Sequence, residues 1–391
     1  MKFLLSAFFL ASETSLEAGS PWALLWTGPA ILVSSLMIAW GAEATQFFLA
    51  QGLALALLAL LQTLPEFAVE AVLAWNQQVP LLFASLTGAL MLLTGLGWPM
   101  IYFSAATAHR REGRGPLRSI RLEDDHAVQV VSLFVAIGYE FIVWWKGALT
   151  VADGMILLAI YVAYLWIMRR LPPEEHETLD EIEGVPKAIV LARKPVRIGA
   201  ILGLFLVGGA AVFLVAGPFL ASLFGISLLI GVSKFQFIQW IAPLVSEAPE
   251  GISAYYWARD PGRASIALMN LVSSNINQWT LLAALLPMVL SVSTHHFTPI
   301  PLDATQSRDL LLTLSQALLG AMFLVNMELA WWEAVGLFVL FVVQLADVGG
   351  TIRVYVTWVY FAWAGVELMR LITGNRKAVA LGHFRRILRH A

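Results

Sequence analysis

The stretch "LLQTLPEFAVEAVLAW", residues 60–75, places Pro65, Glu66 and Glu70 inside an otherwise apolar, helix-forming run. A proline in a helix interior removes a backbone hydrogen bond and kinks the helix. A carboxylate at bilayer depth costs at least about 2.5–3.5 kcal/mol, so it persists there only with a partner, a proton or an ion. The stretch therefore predicts a kinked apolar helix that carries functional acids.

The composition of the whole chain is that of a membrane protein. Of its 391 residues, 59% are hydrophobic and 13% charged, whereas soluble domains have about 45–50% apolar and about 25% charged residues. The net charge of −2 does not indicate a nucleic-acid partner, and the absence of cysteine excludes disulfides and thiolate sites. We expect membrane lipid as a partner and no nucleic acid, and the sequence does not specify an oligomeric state.

Apolar runs long enough to cross a bilayer core recur along the chain. They predict an all-α polytopic protein with eleven spans, near residues 22–41, 47–75, 80–104, 127–145, 151–168, 198–220, 228–258, 264–290, 309–326, 332–346 and 353–372.

The basic residues predict an orientation, because cytoplasmic loops carry an excess of Lys and Arg. In this span arrangement 19 of the 24 Lys and Arg residues fall on one side. We therefore expect the N-terminus outside the cell (inner) membrane and the C-terminus, "RKAVALGHFRRILRHA", in the cytoplasm.

The spans predict five segments. Residues 1–21 form a half-helix or a signal-like segment, and the sequence leaves open whether they are cleaved. Two five-span repeats, 22–168 and 198–346, flank an acidic cytoplasmic linker at 169–197. An extra span and a basic tail occupy 347–391.

The opening stretch is repeated in "APLVSEAPEGISAYYWARD", residues 242–260, which again sets a Pro-Glu pair in an apolar helix. Pro65-Glu66 and Pro249-Glu250 are 184 residues apart. In the predicted topology one pair lies on an outward-running helix and the other on an inward-running helix. This arrangement is an inverted repeat, a common plan for secondary transporters that alternate access to a central site.

These segments resemble the alpha repeats of the cation/calcium exchanger superfamily, which includes sodium/calcium exchangers. The family pattern is G-[TS]-[TS]-x-P-E on one helix and G-S-N-x-x-N, or a variant ending in Asp, on the next. The first element reads "LQTLPE" (61–66) and "VSEAPE" (245–250), and the second reads "LTGALM" (86–91) and "SSNINQ" (273–278). The resemblance covers the ten-span core and is that of a divergent prokaryotic branch.

The resemblance implies two inverted five-helix halves with ions bound at mid-membrane. Glu66 and Glu250 would be the central acidic ligands, and Thr63 and Ser246 would fall in the hydroxyl or backbone-ligand part of the motif. Ser274 and Asn275 would support the site. The chain departs from the pattern at Gly88, Met91 and Gln278, so the first repeat has lost ligands.

The candidate ion site offers both carboxylates and neutral oxygens. Glu70 lies four residues after Glu66, on the same helix face, and Glu247 lies three before Glu250. Ca²⁺ prefers six to eight oxygens at about 2.3–2.6 Å, and the neutral oxygens here come from Gln62, Thr63, Ser246, Asn275 and Gln278. Ca²⁺ is therefore possible, but the sequence leaves a monovalent cation open.

The sequence allows two interpretations of Lys234 and two of Glu140. Lys234 either pairs with a glutamate of the site or extends to the headgroups. Glu140 either carries a proton or is a core residue.

These observations predict a cation antiporter driven by Na⁺ or H⁺, with no cofactor beyond the transported ions. The alternative is a membrane-embedded hydrolase that uses Glu247 and Glu250, but no catalytic signature accompanies them. A passive channel would need a continuous polar pore, which these apolar spans do not predict.

Overall fold

The computed structural model describes residues 18–48, 61, 63–171, 184–260, 262–346 and 350–390. Within these residues the chain is mainly helical, as predicted. Among the described residues, six helices are long and apolar enough to cross a membrane: Pro21–Thr45, Val79–Arg111, Asp124–Lys146, Val151–Met168, Lys194–Ile230 and Ala264–Thr294. Each coincides with a predicted span.

The other predicted spans are broken, more polar or shorter helices. Span 228–258 is two half-helices, Lys234–Ser246 and Ala248–Ala258. Span 47–75 is described as the half-helix Leu64–Trp75, and residues 49–60 of it lie outside the described residues. The last three predicted spans correspond to Ala304–Leu324, Trp331–Leu345 and Thr351–Ile372.

Two helices lie in segments that were predicted to be loop or tail. Gly184–Leu191 falls in the predicted linker, and it buries Ile189 and Val190 against Ala44. These apolar side chains explain why this part of the linker is packed rather than solvated. Val379–His390 forms an amphipathic helix in the basic tail, where Ala380 is fully buried. Residues 1–17 and 172–183 of the predicted terminal segment and linker are outside the described residues.

The chain forms two compact units that cut across the sequence repeats. The first comprises residues 1–88, 172–250 and 285–298, and the second comprises 89–171, 251–284 and 299–391. Each unit therefore takes helices from both repeats.

In the first unit, the helix Leu24–Gln46 packs along Lys194–Ile230. Small residues allow this close approach: a Cβ on Gly208 would meet the carbonyl oxygen of Ser34 at 3.0 Å. The hydroxyls of Thr27 and Ser222 lie 3.2 Å apart between the same helices. The half-helix Leu64–Trp75 also packs against Lys194–Ile230.

Short strands in the second unit reveal the direction of its helices. The strand β1 (Ser119–Arg121) precedes the helix Ala127–Lys146, and β2 (Ala148–Leu149) follows it. The strand β3 (Ile300–Pro301) precedes the helix Ala304–Leu324, and β4 (Glu328–Ala330) follows that helix.

The pairing of these strands is symmetric. β1 pairs with β4 and β2 pairs with β3, both antiparallel. The start of the helix Ala127–Lys146 therefore lies beside the end of the helix Ala304–Leu324, and its end lies beside the start of that helix. The two helices run in opposite directions. Because these helices hold the same position in the two sequence repeats, the repeats are inverted, as predicted.

The third span of each repeat contains one π-helical segment. The segments are Leu93–Gly97 within Val79–Arg111 and Gln278–Leu282 within Ala264–Thr294. They lie 185 residues apart, nearly the same spacing as the two Pro-Glu pairs. π-Segments are rare and often mark functional positions in helices. The duplication therefore extends to local backbone geometry, which the sequence did not predict.

Candidate functional site

The first Pro-Glu pair lies at the start of a half-helix. Thr63 is the residue before the helix Leu64–Trp75 and is fully buried. Pro65 occupies the first turn, where its missing N–H has no intrahelical partner to lose. Glu66 is also in the first turn and 3% exposed, so the positive end of the helix dipole favours its negative charge.

The second Pro-Glu pair has the same local structure. The helix Lys234–Ser246 ends at Ser246, Glu247 is its C-cap, and the next helix begins at Ala248. Glu250 is in the first turn of that helix and 3% exposed. Proline was predicted to kink a continuous helix here. The structure agrees with an interruption at this point: the two helices are separated by Glu247 alone, whose φ of −86° and ψ of −7° remain in the helical region, and Pro249 lies in the first turn of the second helix.

The structure brings the two motif segments together in the first unit. Ser246 lies beside the carboxylate of Glu66, and the charges of Glu66 and Glu250 interact. Glu70, fully buried one turn further along the same helix, adds its charge to that of Glu66 and has Ser85 beside it. We call Glu66, Glu70 and Glu250 the carboxylate cluster.

The carboxylate cluster is costly to keep charged. Of the basic side chains that the structure describes, none forms an ion pair with Glu66 or Glu70. Several negative charges buried together repel one another and have lost the solvation of water. The cluster therefore needs protons or a bound cation to neutralise it.

A close contact between two helices fixes the position of the helix Val79–Arg111, which carries Ser85. Gly88 lies so near the helix Lys234–Ser246 that a Cβ would come within 1.8 Å of the carbonyl oxygen of Gln239. The side-chain amide of Gln239 also donates to the hydroxyl of Thr87 at 3.3 Å. Gly88, a departure from the family pattern in the sequence, thus serves helix packing. The positions of Ser85, Thr87 and Gln239 beside the cluster were not predicted from the sequence.

The accessory residues are placed differently. Lys234 is exposed at the start of the helix Lys234–Ser246, and its ammonium lies 5.1 Å from the ring centroid of Phe224. About 12 residues of helix, or roughly 18 Å, separate it from Ser246. Lys234 therefore does not belong to the carboxylate cluster, and the reading in which it extends to the headgroups fits its position. Gln62 lies outside the described residues.

Ser274, Asn275 and Gln278 belong to the second unit, where all three are buried. The amide of Asn275 is held at both ends: Nδ2 donates to the carbonyl of Leu271 at 3.0 Å, and Oδ1 accepts from Thr94 at 3.1 Å. Thr94 lies in the π-segment of the first repeat. The assignment of these residues as ligands stays a prediction.

Asn277 was not predicted from the sequence. It is 1% exposed, and neither atom of its amide has a hydrogen-bond partner among the residues that the structure describes. It is the last residue before the π-segment Gln278–Leu282. It stands at a variable position of the family pattern, so the motif gave no signal for it.

Comparison with known proteins identifies relatives of this chain. The family model described as sodium/calcium exchanger protein matches residues 19–169 and 200–347. A crystal structure of the H⁺/Ca²⁺ exchanger CAX is 30% identical, with a TM-score of 0.87, and the match covers 99% of this chain and 98% of that one.

Two further solved structures share the fold. Native YfkE is 14% identical over 91% of this chain and 99% of its own, with a TM-score of 0.55. The sodium-calcium exchanger NCX_Mj is 18% identical over 89% of this chain and 99% of its own, with a TM-score of 0.54. No curated protein sequence gave a significant match.

Proposed function

Because this chain belongs to the sodium/calcium exchanger family, we propose that it exchanges Ca²⁺ against H⁺ at the carboxylate cluster of its first unit. The family consists of cation antiporters, so the protein is a multi-pass membrane antiporter and not an enzyme. The hydrolase alternative with Glu247 and Glu250 is not favoured.

The observation that carries the proposal is that the carboxylates of Glu66 and Glu250 lie close enough for their charges to interact. Both glutamates are buried in the first turn of a half-helix, and their charges interact. Two carboxylates supply up to four oxygens and two negative charges, which matches the charge of Ca²⁺. Thr63, Ser246 and Glu247 flank the two helix starts and supply further oxygens.

The charge of the carboxylate cluster supports H⁺ as the coupling ion. Glu66 and Glu70 have no ion pair with a described basic side chain, so the cluster cannot stay fully ionised once Ca²⁺ leaves. Protons neutralise carboxylates directly and need no further ligands. Ca²⁺ and H⁺ then compete for the same oxygens, and this competition couples the two fluxes. The 30% identical relative is itself an H⁺/Ca²⁺ exchanger.

The inverted repeat supports alternating access to this cluster. Two halves of opposite orientation can present one buried site to either side of the membrane. The excess of Lys and Arg on one side supports an orientation with the N-terminus outside the cell membrane and the C-terminus in the cytoplasm.

The test is an ion panel in proteoliposomes. Purified protein is reconstituted with Ca²⁺ outside, and a pH gradient (acid inside) or a Na⁺ gradient (high inside) is imposed separately. We expect ⁴⁵Ca²⁺ uptake to follow the pH gradient and to be indifferent to Na⁺. Uptake driven by Na⁺ without a pH gradient would contradict H⁺ coupling, and uptake of K⁺ in place of Ca²⁺ would contradict the proposed substrate.

A further inference from the structure

The second unit contains a half-open cavity of about 490 Å³. It is lined by the helix Val79–Arg111, by Phe338 of the helix Trp331–Leu345, and by Tyr255 and Arg259 at the end of the helix Ala248–Ala258. None of the carboxylate cluster lines it.

One wall of the cavity changes steadily from apolar to basic. The side chains along this wall are Leu96, Met100, Phe103, Thr107 and Arg111. Their spacings of three or four residues place them on one face of the helix. The row spans about 22 Å at 1.5 Å per residue, which is comparable to the length of a phospholipid acyl chain with its headgroup.

The facing wall adds a second basic group and more aromatic surface. The guanidinium of Arg259 lies 5.7 Å from the ring centroid of Tyr255, one turn earlier. Phe338 contacts Phe103 edge to face, with ring centroids 5.8 Å apart. Phe103 is 38% and Tyr255 41% exposed, so the cavity is open to an incoming molecule.

Within the part of the chain that the structure describes, the positive charges in the cavity have no acidic partner. Among the described residues, neither Arg111 nor Arg259 forms an ion pair, and the one acid in the lining, Glu112, pairs instead with Arg114 at 3.0 Å. Two guanidinium groups at the polar end of an apolar groove fit a phosphate that is attached to a hydrocarbon chain.

We propose that this cavity binds an anionic phospholipid of the adjoining leaflet. Its phosphate lies between Arg111 and Arg259, and an acyl chain follows Leu96, Met100 and Phe103. The aromatic rings of Phe103 and Phe338 contact the acyl chain, and Tyr255 holds the guanidinium of Arg259 at the headgroup.

The experiment is native mass spectrometry of the purified full chain with an equimolar mixture of phosphatidylglycerol and phosphatidylcholine. The double variant Arg111→Gln/Arg259→Gln removes both guanidinium groups. Each basic residue near an anionic lipid contributes about fivefold, so we expect the preference for phosphatidylglycerol to fall roughly thirtyfold. Thr107→Trp, which fills the groove without changing the charge, should also lose the bound lipid.

The matched control is Arg110→Gln/Arg118→Gln, which removes two exposed charges near the same helix end outside the cavity lining. This control should keep the wild-type preference. An equal loss in the control, or no loss in either cavity variant, would overturn the proposal. Inorganic phosphate should fail to displace the lipid, and displacement at matched concentration would assign the site to free phosphate instead.

Discussion

Glu66 and Glu250 stand 184 residues apart in the chain, yet each occupies the first turn of a half-helix and their charges interact in one compact unit. In the proposed site, each helix start contributes one first-turn carboxylate. The duplication would then form one cation site from two copies of the same local structure.

Glu70, the third residue of the carboxylate cluster, should increase the affinity for Ca²⁺. Glu70→Gln removes one negative charge near Glu66 without changing side-chain shape. We expect the apparent affinity for Ca²⁺ to fall about tenfold while exchange persists, because a nearby partly screened charge contributes on that order. ⁴⁵Ca²⁺ uptake at varied Ca²⁺ measures this. Glu140→Gln, a buried glutamate of the second unit, is the matched control, and equal affinities in both variants would exclude Glu70 from the site.

Acidification should weaken Ca²⁺ binding. Protonated carboxylates do not ligate, so each displaced proton lowers the apparent affinity by up to about tenfold for each unit of falling pH. With two carboxylates the limit is about a hundredfold per unit. Calorimetric titration of the purified protein with Ca²⁺ between pH 6 and pH 8 checks the sign. A dissociation constant that does not change across this range would count against proton competition.

The close contact at Gly88 should be sensitive to a single methyl group. Gly88→Ala must displace the backbone of Gln239, which lies 1.8 Å from the added Cβ. We expect a loss of about 1–3 kcal/mol of stability and a lower melting temperature. Gly138→Ala is the control, because nothing lies within 4 Å of its added Cβ. Equal melting temperatures for the two variants would show that the two helices can move apart without loss of stability.

A buried arginine should anchor the C-terminal segment. Arg376 pairs with Glu333 at 2.8 Å and with Glu367 at 2.6 Å, and all three side chains are buried. Arg376→Met leaves two buried acids without this partner and should cost about 3–5 kcal/mol. The exposed neighbour Lys377→Met is the control in thermal unfolding. Adding Glu333→Gln and Glu367→Gln to Arg376→Met should recover part of the lost stability. If stability does not recover, the loss came instead from the missing packing of the Arg376 side chain.

The sequence predicted the inverted repeat and the recurrence of the Pro-Glu pair because both depend on residue type. A glutamate next to proline in an apolar run is rare enough to be noticed, and its recurrence at Pro249-Glu250 gave the symmetry. The spans were predicted for the same reason, since apolar runs are visible in one dimension.

Other features depend on contacts between distant residues and could not be predicted. The close approach of Gly88 to Gln239 needs the position of a second helix. The π-segments depend on backbone packing, and nothing in "LTGLG" or "QWTLL" marks them. The position of the interruption at Glu247 could not be predicted, because a proline signals a kink without fixing the residue at which it occurs.

According to the proposed mechanism, Glu66 and Glu250 together bind the transported cation in exchange for protons. The most direct test of this mechanism is the release of protons when Ca²⁺ is added to weakly buffered, purified protein. Wild-type protein and Glu140→Gln should release protons in proportion to bound Ca²⁺, whereas Glu66→Gln and Glu250→Gln should each bind no Ca²⁺ and release none. Unchanged Ca²⁺ binding with unchanged proton release in both cluster variants would contradict the claim.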